Sequence, residues 1–216
     1  NRSYLYSIND IPGSKPEQTL RLRGLSEDNY DVPLIYLLLV SGNTVVCDSL
    51  IVGAPEKISL VGNYQEGLNN IKAFMDLALK LPFLNPQRFQ EQYDEALGYL
   101  NRSDIKQEYV FLELGELYSM NGSNDTEWLL GQISEILEAI KDKNISNIKL
   151  SAYEAKNSKS DWLEFWDHNS WHEVLYFYFP KPFTYKTPFK ITKITKTDDV
   201  KKQQDLNALA QALQKK

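Results

Sequence analysis

The sequence predicts an α+β protein, with a mixed or antiparallel sheet packed with about four helices. Three observations lead there. Helical stripes and β-type runs both occur, but they do not alternate as regular strand–helix–strand units, which disfavours a doubly wound parallel sheet. The 216 residues are 42% apolar and 12% aromatic, with 13 Tyr and 4 Trp. That is core material for a folded chain and far from a disordered composition. A chain of this length buries roughly 70% of its unfolded surface. One domain over residues 1–216, or two tightly packed lobes with a break near 121–124, can therefore stand without disulfides.

The elements follow in order. Tyr4 to Ile8 is aromatic and branched and runs into Asn9-Asp10 and Pro12-Gly13, a strand entering a turn. Residues 14–32 are polar with scattered apolar positions and read as a long loop, a kind of segment that often carries function. Leu34 to Val40 is all apolar, and periodicity does not decide between a buried helix and a buried strand. Thr44–Leu50 and Lys57–Val61 are β-type runs around Gly53-Ala54-Pro55, consistent with a hairpin.

Two clear helices come next. Leu68, Ile71, Phe74, Met75, Ala78 and Leu81 share one helical face, and Pro82 ends that helix. Asn85 and Pro86 suit the start of the second, whose stripe is Phe89, Tyr93, Ala96, Leu97 and Leu100. Tyr109 to Leu112 reads as a core strand continuing towards Tyr118, before the break at Asn121-Gly122-Ser123-Asn124. A third helix carries Leu129, Ile133, Ile136, Leu137 and Ile140 and ends in Lys141 and Lys143. Ile148–Tyr153, Val174–Phe179 and Phe183–Thr195 read as extended, and Leu206, Leu209, Ala210 and Leu213 mark a terminal helix.

Charge and composition bound the function. The net charge is −5 and the pI about 5.2, so no nucleic-acid partner is expected, since backbone phosphates need a dense Lys/Arg face. The longest apolar run, Pro33 to Val40, is far short of the ~20 residues of a membrane span, and no membrane partner is expected. No signal peptide is visible, which favours a cytoplasmic location. The single cysteine, Cys47, reads as a small buried hydrophobe. No cofactor motif appears. Gly53 to Ser59 lacks the second glycine and the following helix of a phosphate loop.

Three polar clusters are candidates for chemistry or binding. His168 and His172 are four apart, so on a helix they share a face and could meet one metal or act in acid–base catalysis. Asn169-Ser170 interrupts that helix, and Trp162, Trp166 and Trp171 crowd around it. An aromatic cluster with histidines at its polar edge is the simpler reading. Glu113 and Glu116 could form a catalytic carboxylate pair. Residues three apart on a strand face opposite ways, so Gly115 would have to introduce a bulge. Otherwise one Glu is solvated and the other ion-paired. Arg21, Arg23, Glu27, Asp28 and Asp31 crowd the loop around Gly24, as a recognition loop or a surface ion-pair network of small energetic worth.

Asn1 to Ser7, Arg23 to Leu34, Ser59 to Tyr64 and Leu112 to Glu116 together resemble a family of uncharacterised bacterial proteins over roughly residues 1–120. The resemblance implies a bacterial, cytoplasmic origin and carries no catalytic residues. Two functions follow as expectations. One is a non-enzymatic protein that binds another protein, with a toxin-neutralising immunity protein as its finer form. Acidic charge, the aromatic anchors Trp162, Trp166 and Trp171, and the charged segment around Arg23, Glu27, Asp28 and Asp31 motivate it. The other is an enzyme with a non-standard site near His168 and His172 or near Glu113 and Glu116. The balance favours the binder.

Overall fold

The computed structural model describes residues 1–53, 56–81, 86–146 and 148, together with the backbone of 189–195. Their elements are β1 (Arg2–Ile8), β2 (Glu17–Asn29), α1 (Leu34–Val40), β3 (Val45–Cys47), β4 (Ser59–Asn63), α2 (Tyr64–Ala78), α3 (Pro86–Leu100), β5 (Tyr109–Glu113), α4 (Gly115–Asn121), α5 (Thr126–Lys141) and β6 (Phe189–Thr195). The six strands form one sheet in the order β3-β4-β5-β1-β2-β6. Every neighbouring pair is antiparallel. This is the α+β fold with an antiparallel sheet that the sequence predicts. The expected readings of 149–188, including the tryptophan–histidine segment, and of the terminal helix lie outside the described residues.

Alternation along the strands sorts the sheet into two faces. Leu60, Leu112 and Leu5 sit side by side in register and belong to the main core with Leu38, Leu68, Phe74, Leu129 and Ile133 of the helices. Val61, Phe111 and Tyr6 form the next row and face the other way. There Ile8, Leu20, Leu22, Cys47, Val61 and Phe111 make a second, smaller core that also contacts Ile11 and Leu50. Two loops thus close the back of the sheet. The 9–16 loop folds far enough across it that a Cβ on Gly13 would meet the Asp48 carboxylate.

Of the helices, α2, α3 and α5 form where their stripes predict. Asn63 caps α2 by accepting a hydrogen bond from the Glu66 N–H at 3.0 Å. Leu68, Ile71, Phe74, Met75 and Ala78 are its buried face. The ambiguous run at 34–40 is a helix, buried at all seven positions. It lies so close to β4 and α2 that a Cβ on Gly62 would stand 1.9 Å from the Val40 carbonyl oxygen. One on Gly67 would stand 1.8 Å from that of Leu39. A side chain at either position would force the backbones apart.

Two expectations are corrected. Residues 14–32 are not a long loop, because 17–29 form the longest strand of the sheet. Leu20-Arg21-Leu22-Arg23 alternates as a strand should. The pattern then breaks, since Leu5 pairs with Ser26 and Tyr6 with Gly24, leaving Leu25 as a bulge that enters the main core. The phase slip hides the strand. The strand from Tyr109 does not continue to Tyr118 either. The chain turns at Leu114, and α4 begins at Gly115. Leu114, Leu117 and Tyr118 then follow helical rather than alternating spacing. Gly122, at φ +65°, ends α4. Asn124 accepts hydrogen bonds from the Thr126 N–H and hydroxyl as α5 starts.

Candidate interaction site

The charged residues expected in one loop are divided by the strand that replaces it. Arg23 pairs with Ser7 and Asp28 with Ser3 on the helix-facing rows, whereas Glu27 pairs with Tyr4 on the back. Arg23 lies near enough to Asp104 to reinforce the pull of Arg102, whose hydrogen bonds hold that carboxyl below its ordinary value. Glu27 accepts from the Arg2 guanidinium at 3.1 Å, and Asn29 accepts from the same side chain. Both partners of the Arg2–Glu27 pair are partly solvated, so the pair contributes little stability.

Glu116 joins this group and not Glu113. Its carboxylate accepts the Tyr4 hydroxyl at 2.6 Å and the Arg2 N–H at 3.0 Å. The Tyr4 hydrogen bond holds Glu116 below its ordinary value. Burial and then the Glu116 carboxylate push the Tyr4 phenol up to about 12. The Tyr4 ring stacks on Tyr6, and Tyr6 on Phe111, with centroids 6.1 and 6.2 Å apart.

Glu113 faces a different set of groups. It is 1% exposed. Its carboxylate accepts from the hydroxyls of Ser49 at 2.7 Å and Ser59 at 3.0 Å. It also accepts from the backbone N–H of Leu50 at 2.6 Å and of Gly115 at 2.8 Å. Ser49 in turn accepts from the Ile51 and Val52 N–H groups. The bulge that would align the two glutamates is absent, because Gly115 starts a helix and its N–H is held by Glu113. The pair does not converge, and Glu113 ties the 48–58 loop to the end of β5.

Beyond the end of β2 the chain turns sharply into α1. Tyr30 sits there at φ +63°, the left-handed region, and is 62% exposed. Surrounding bonds fix the turn. The Tyr30 N–H donates to the Asn1 carbonyl at 3.0 Å. The Ser3 hydroxyl donates to the Asp31 carbonyl at 2.5 Å, and the Asp31 carboxylate accepts from the Val32 N–H at 2.6 Å. A bulky aromatic in this backbone region costs about 1–3 kcal/mol, and such strain clusters where a protein meets its ligands. Nothing in the sequence marks Tyr30 except its place between Asn29 and Asp31.

Cys47 is buried, and burial with the nearby Glu113 and Asp48 carboxylates pushes its thiol well above the ordinary range. A thiol held protonated is a poor nucleophile. Native protein should therefore resist an aromatic disulfide reagent at pH 8, while the guanidinium-unfolded chain reacts with one equivalent. Rapid labelling of the native chain would contradict this burial. Among the described residues no three His, Cys, Asp or Glu side chains are placed to hold a metal ion. A pocket lined by Ile58, Leu114, Leu117, Tyr118 and Asn124 has room for about one water molecule. No helix of the described residues is long and apolar enough to cross a membrane. His168, His172, Trp162, Trp166 and Trp171 lie outside the described residues.

The described residues form an α+β fold with one antiparallel sheet, a helical layer on one face and two loops packed on the other. The chain belongs to a family described as a domain of unknown function, DUF7822, whose model matches residues 9–151. The expected membership of an uncharacterised family is thereby shown, over a range that begins at residue 9, past Asn1 to Ser7, and runs beyond residue 120 to 151. No curated protein matches the chain, and no solved structure does.

Proposed function

We propose that this protein works by binding another protein at the corner where β2 enters α1, with Tyr30 as the anchor. The exposed Tyr30 in a left-handed backbone conformation carries the reading. Aromatic side chains of this kind dominate interface energetics. Glu27, Asp28 and Asp31 lie within three positions of it. Acidic residues outnumber basic ones nearly two to one over residues 9–151. A basic partner surface suits that field, which speeds encounter and rejects acidic competitors. The finer form is an immunity-type protein in the bacterial cytoplasm that neutralises a basic toxin.

The test is co-purification from the native host at mild salt, comparing the wild type with Tyr30→Gly. Glycine adopts a positive φ without strain, so this variant is expected to match or exceed the wild-type Tm. Recovery of a basic partner is expected to fall at least about tenfold, the loss of an anchor contact. A wild-type protein that elutes alone counts against binding. Undiminished recovery with Tyr30→Gly places the interface elsewhere.

A further inference from the structure

Residues 30–33 join the end of β2 to the start of α1, and most of this short link has little freedom. Pro33 is set at φ −60° and restricts Val32 to extended backbone. The Val32 side chain is fully buried in the main core. On the other side, Asn29 is paired with Arg2, and its side chain accepts from the Arg2 guanidinium at 3.1 Å. Behind the link, the Tyr36 hydroxyl donates to the Ser26 hydroxyl at 2.6 Å and ties α1 to β2. With both ends held, the reversal of the chain is left to Tyr30 and Asp31.

Ser3 selects between them. It is fully buried on the helix-facing row of β1, a place where an apolar side chain would serve the core. Its hydroxyl donates to the Asp31 carbonyl at 2.5 Å. A buried hydroxyl is costly without an acceptor, so this bond resists rotation of the peptide that follows Asp31. The positive φ therefore falls on Tyr30. Glycine would take that φ without strain, yet the chain carries an exposed tyrosine there. We propose that Ser3 is the positioning residue of the Tyr30 site, its hydroxyl locking the turn so that the ring is presented to the partner already in place. The inference rests on the partner reading of Tyr30 and deepens it. A preformed anchor spares the complex the cost of ordering it, and a relaxed one binds only through the fraction of molecules that hold the right conformation.

The full chain tests this as wild type, Ser3→Ala, Ser3→Thr, Tyr30→Gly and the Ser3→Ala, Tyr30→Gly double variant. The first readout is the NOE between the Tyr30 N–H and its own Hα, strong at positive φ and weak at negative φ. It is expected to be strong in the wild type and in Ser3→Thr, which keeps the hydroxyl, and weak in Ser3→Ala. Once the turn relaxes, glycine at position 30 relieves nothing and only adds chain entropy. Tyr30→Gly is then expected to lower the Tm of the Ser3→Ala chain by roughly 1–4 °C, with no loss in the wild-type background. Recovery of the partner from the native host is expected to fall at least about fivefold in Ser3→Ala and not in Ser3→Thr. Equal NOEs in Ser3→Ala and Ser3→Thr overturn positioning by the hydroxyl, as does the same Tm change from Tyr30→Gly in both backgrounds. An unfolded Ser3→Ala chain overturns it too, because Ser3 would then support the fold at large. A weak NOE with undiminished recovery overturns the preformed anchor. The NOE and the Tm need no partner, so a wild type that elutes alone while both behave as expected strikes the partner reading and leaves the lock on Tyr30 standing.

Discussion

A chain that starts at residue 9, where the family match begins, is expected to lose its fold. β1 lies in the middle of the sheet, between β5 and β2. It pairs with β2 from Arg2 to Ile8 and with β5 from Tyr4 to Ile8. Its side chains serve both cores, with Leu5 in the main one and Ile8 in the smaller one, each fully buried. Losing two such side chains costs about 1.5–3 kcal/mol each. Each lost ladder hydrogen bond adds about 1 kcal/mol. β2 and β5 would also become two new open edges. The sum reaches the ~5–15 kcal/mol of a whole domain's stability. Circular dichroism and a thermal melt of residues 9–216 should show no cooperative transition. A truncated chain that melts within a few degrees of the full one would mean that β1 is dispensable.

The second large effect falls on Glu113. Its carboxylate accepts four hydrogen bonds from Ser49, Leu50, Ser59 and Gly115 in a nearly dry site. Glu113→Ala leaves the Leu50 and Gly115 N–H groups without their acceptor and opens a void. The expected loss is about 3–5 kcal/mol, at about 1–3 kcal/mol for each stranded donor. For a domain of this size that lowers the Tm by roughly 10 °C. Glu113→Gln keeps the volume but turns an amide NH2 towards at least one donor, so it recovers only part of the loss. Chemical denaturation of both variants measures this. Wild-type stability in Glu113→Ala would show that the four bonds do not hold the loop.

These two effects also show where the sequence is readable. Local spacing suffices for α2, α3 and α5, since Leu68 to Ala78, Tyr93 to Leu100 and Leu129 to Ile136 carry their own 3.6-residue period. It fails where the decisive event is a partner far along the chain. Leu25 is displaced because β1 meets β2 across a bulge, so a strand with Arg21, Arg23, Glu27 and Asp28 on it looks like a charged loop. Gly115 starts a helix because its N–H is taken by Glu113, so Leu112 and Leu114 suggest a strand that stops short. The Ser49–Glu113–Ser59 cluster depends on the β3–β4 and β4–β5 registers together, and Glu113 lies more than fifty residues along the chain from either serine.

The candidate site was legible in part. Charge density marks Glu27, Asp28 and Asp31 in the sequence, but not the way β2 sends Glu27 to one face and Asp28 to the other. Spacing groups Glu116 with its sequence neighbour Glu113, whereas Tyr4 and Arg2, near the start of the chain, are what it bonds. Tyr30 carries no signal of its own, because an exposed tyrosine is ordinary until its φ is known.

Site-specific photo-crosslinking in the native host tests the central claim most directly, with a benzophenone side chain replacing Tyr30 in one strain and Ile51, exposed on the 48–58 loop, in another. The account predicts a discrete adduct with one basic protein from position 30 and none with that protein from position 51. Adducts of the same partner from position 51 and none from position 30 would contradict it.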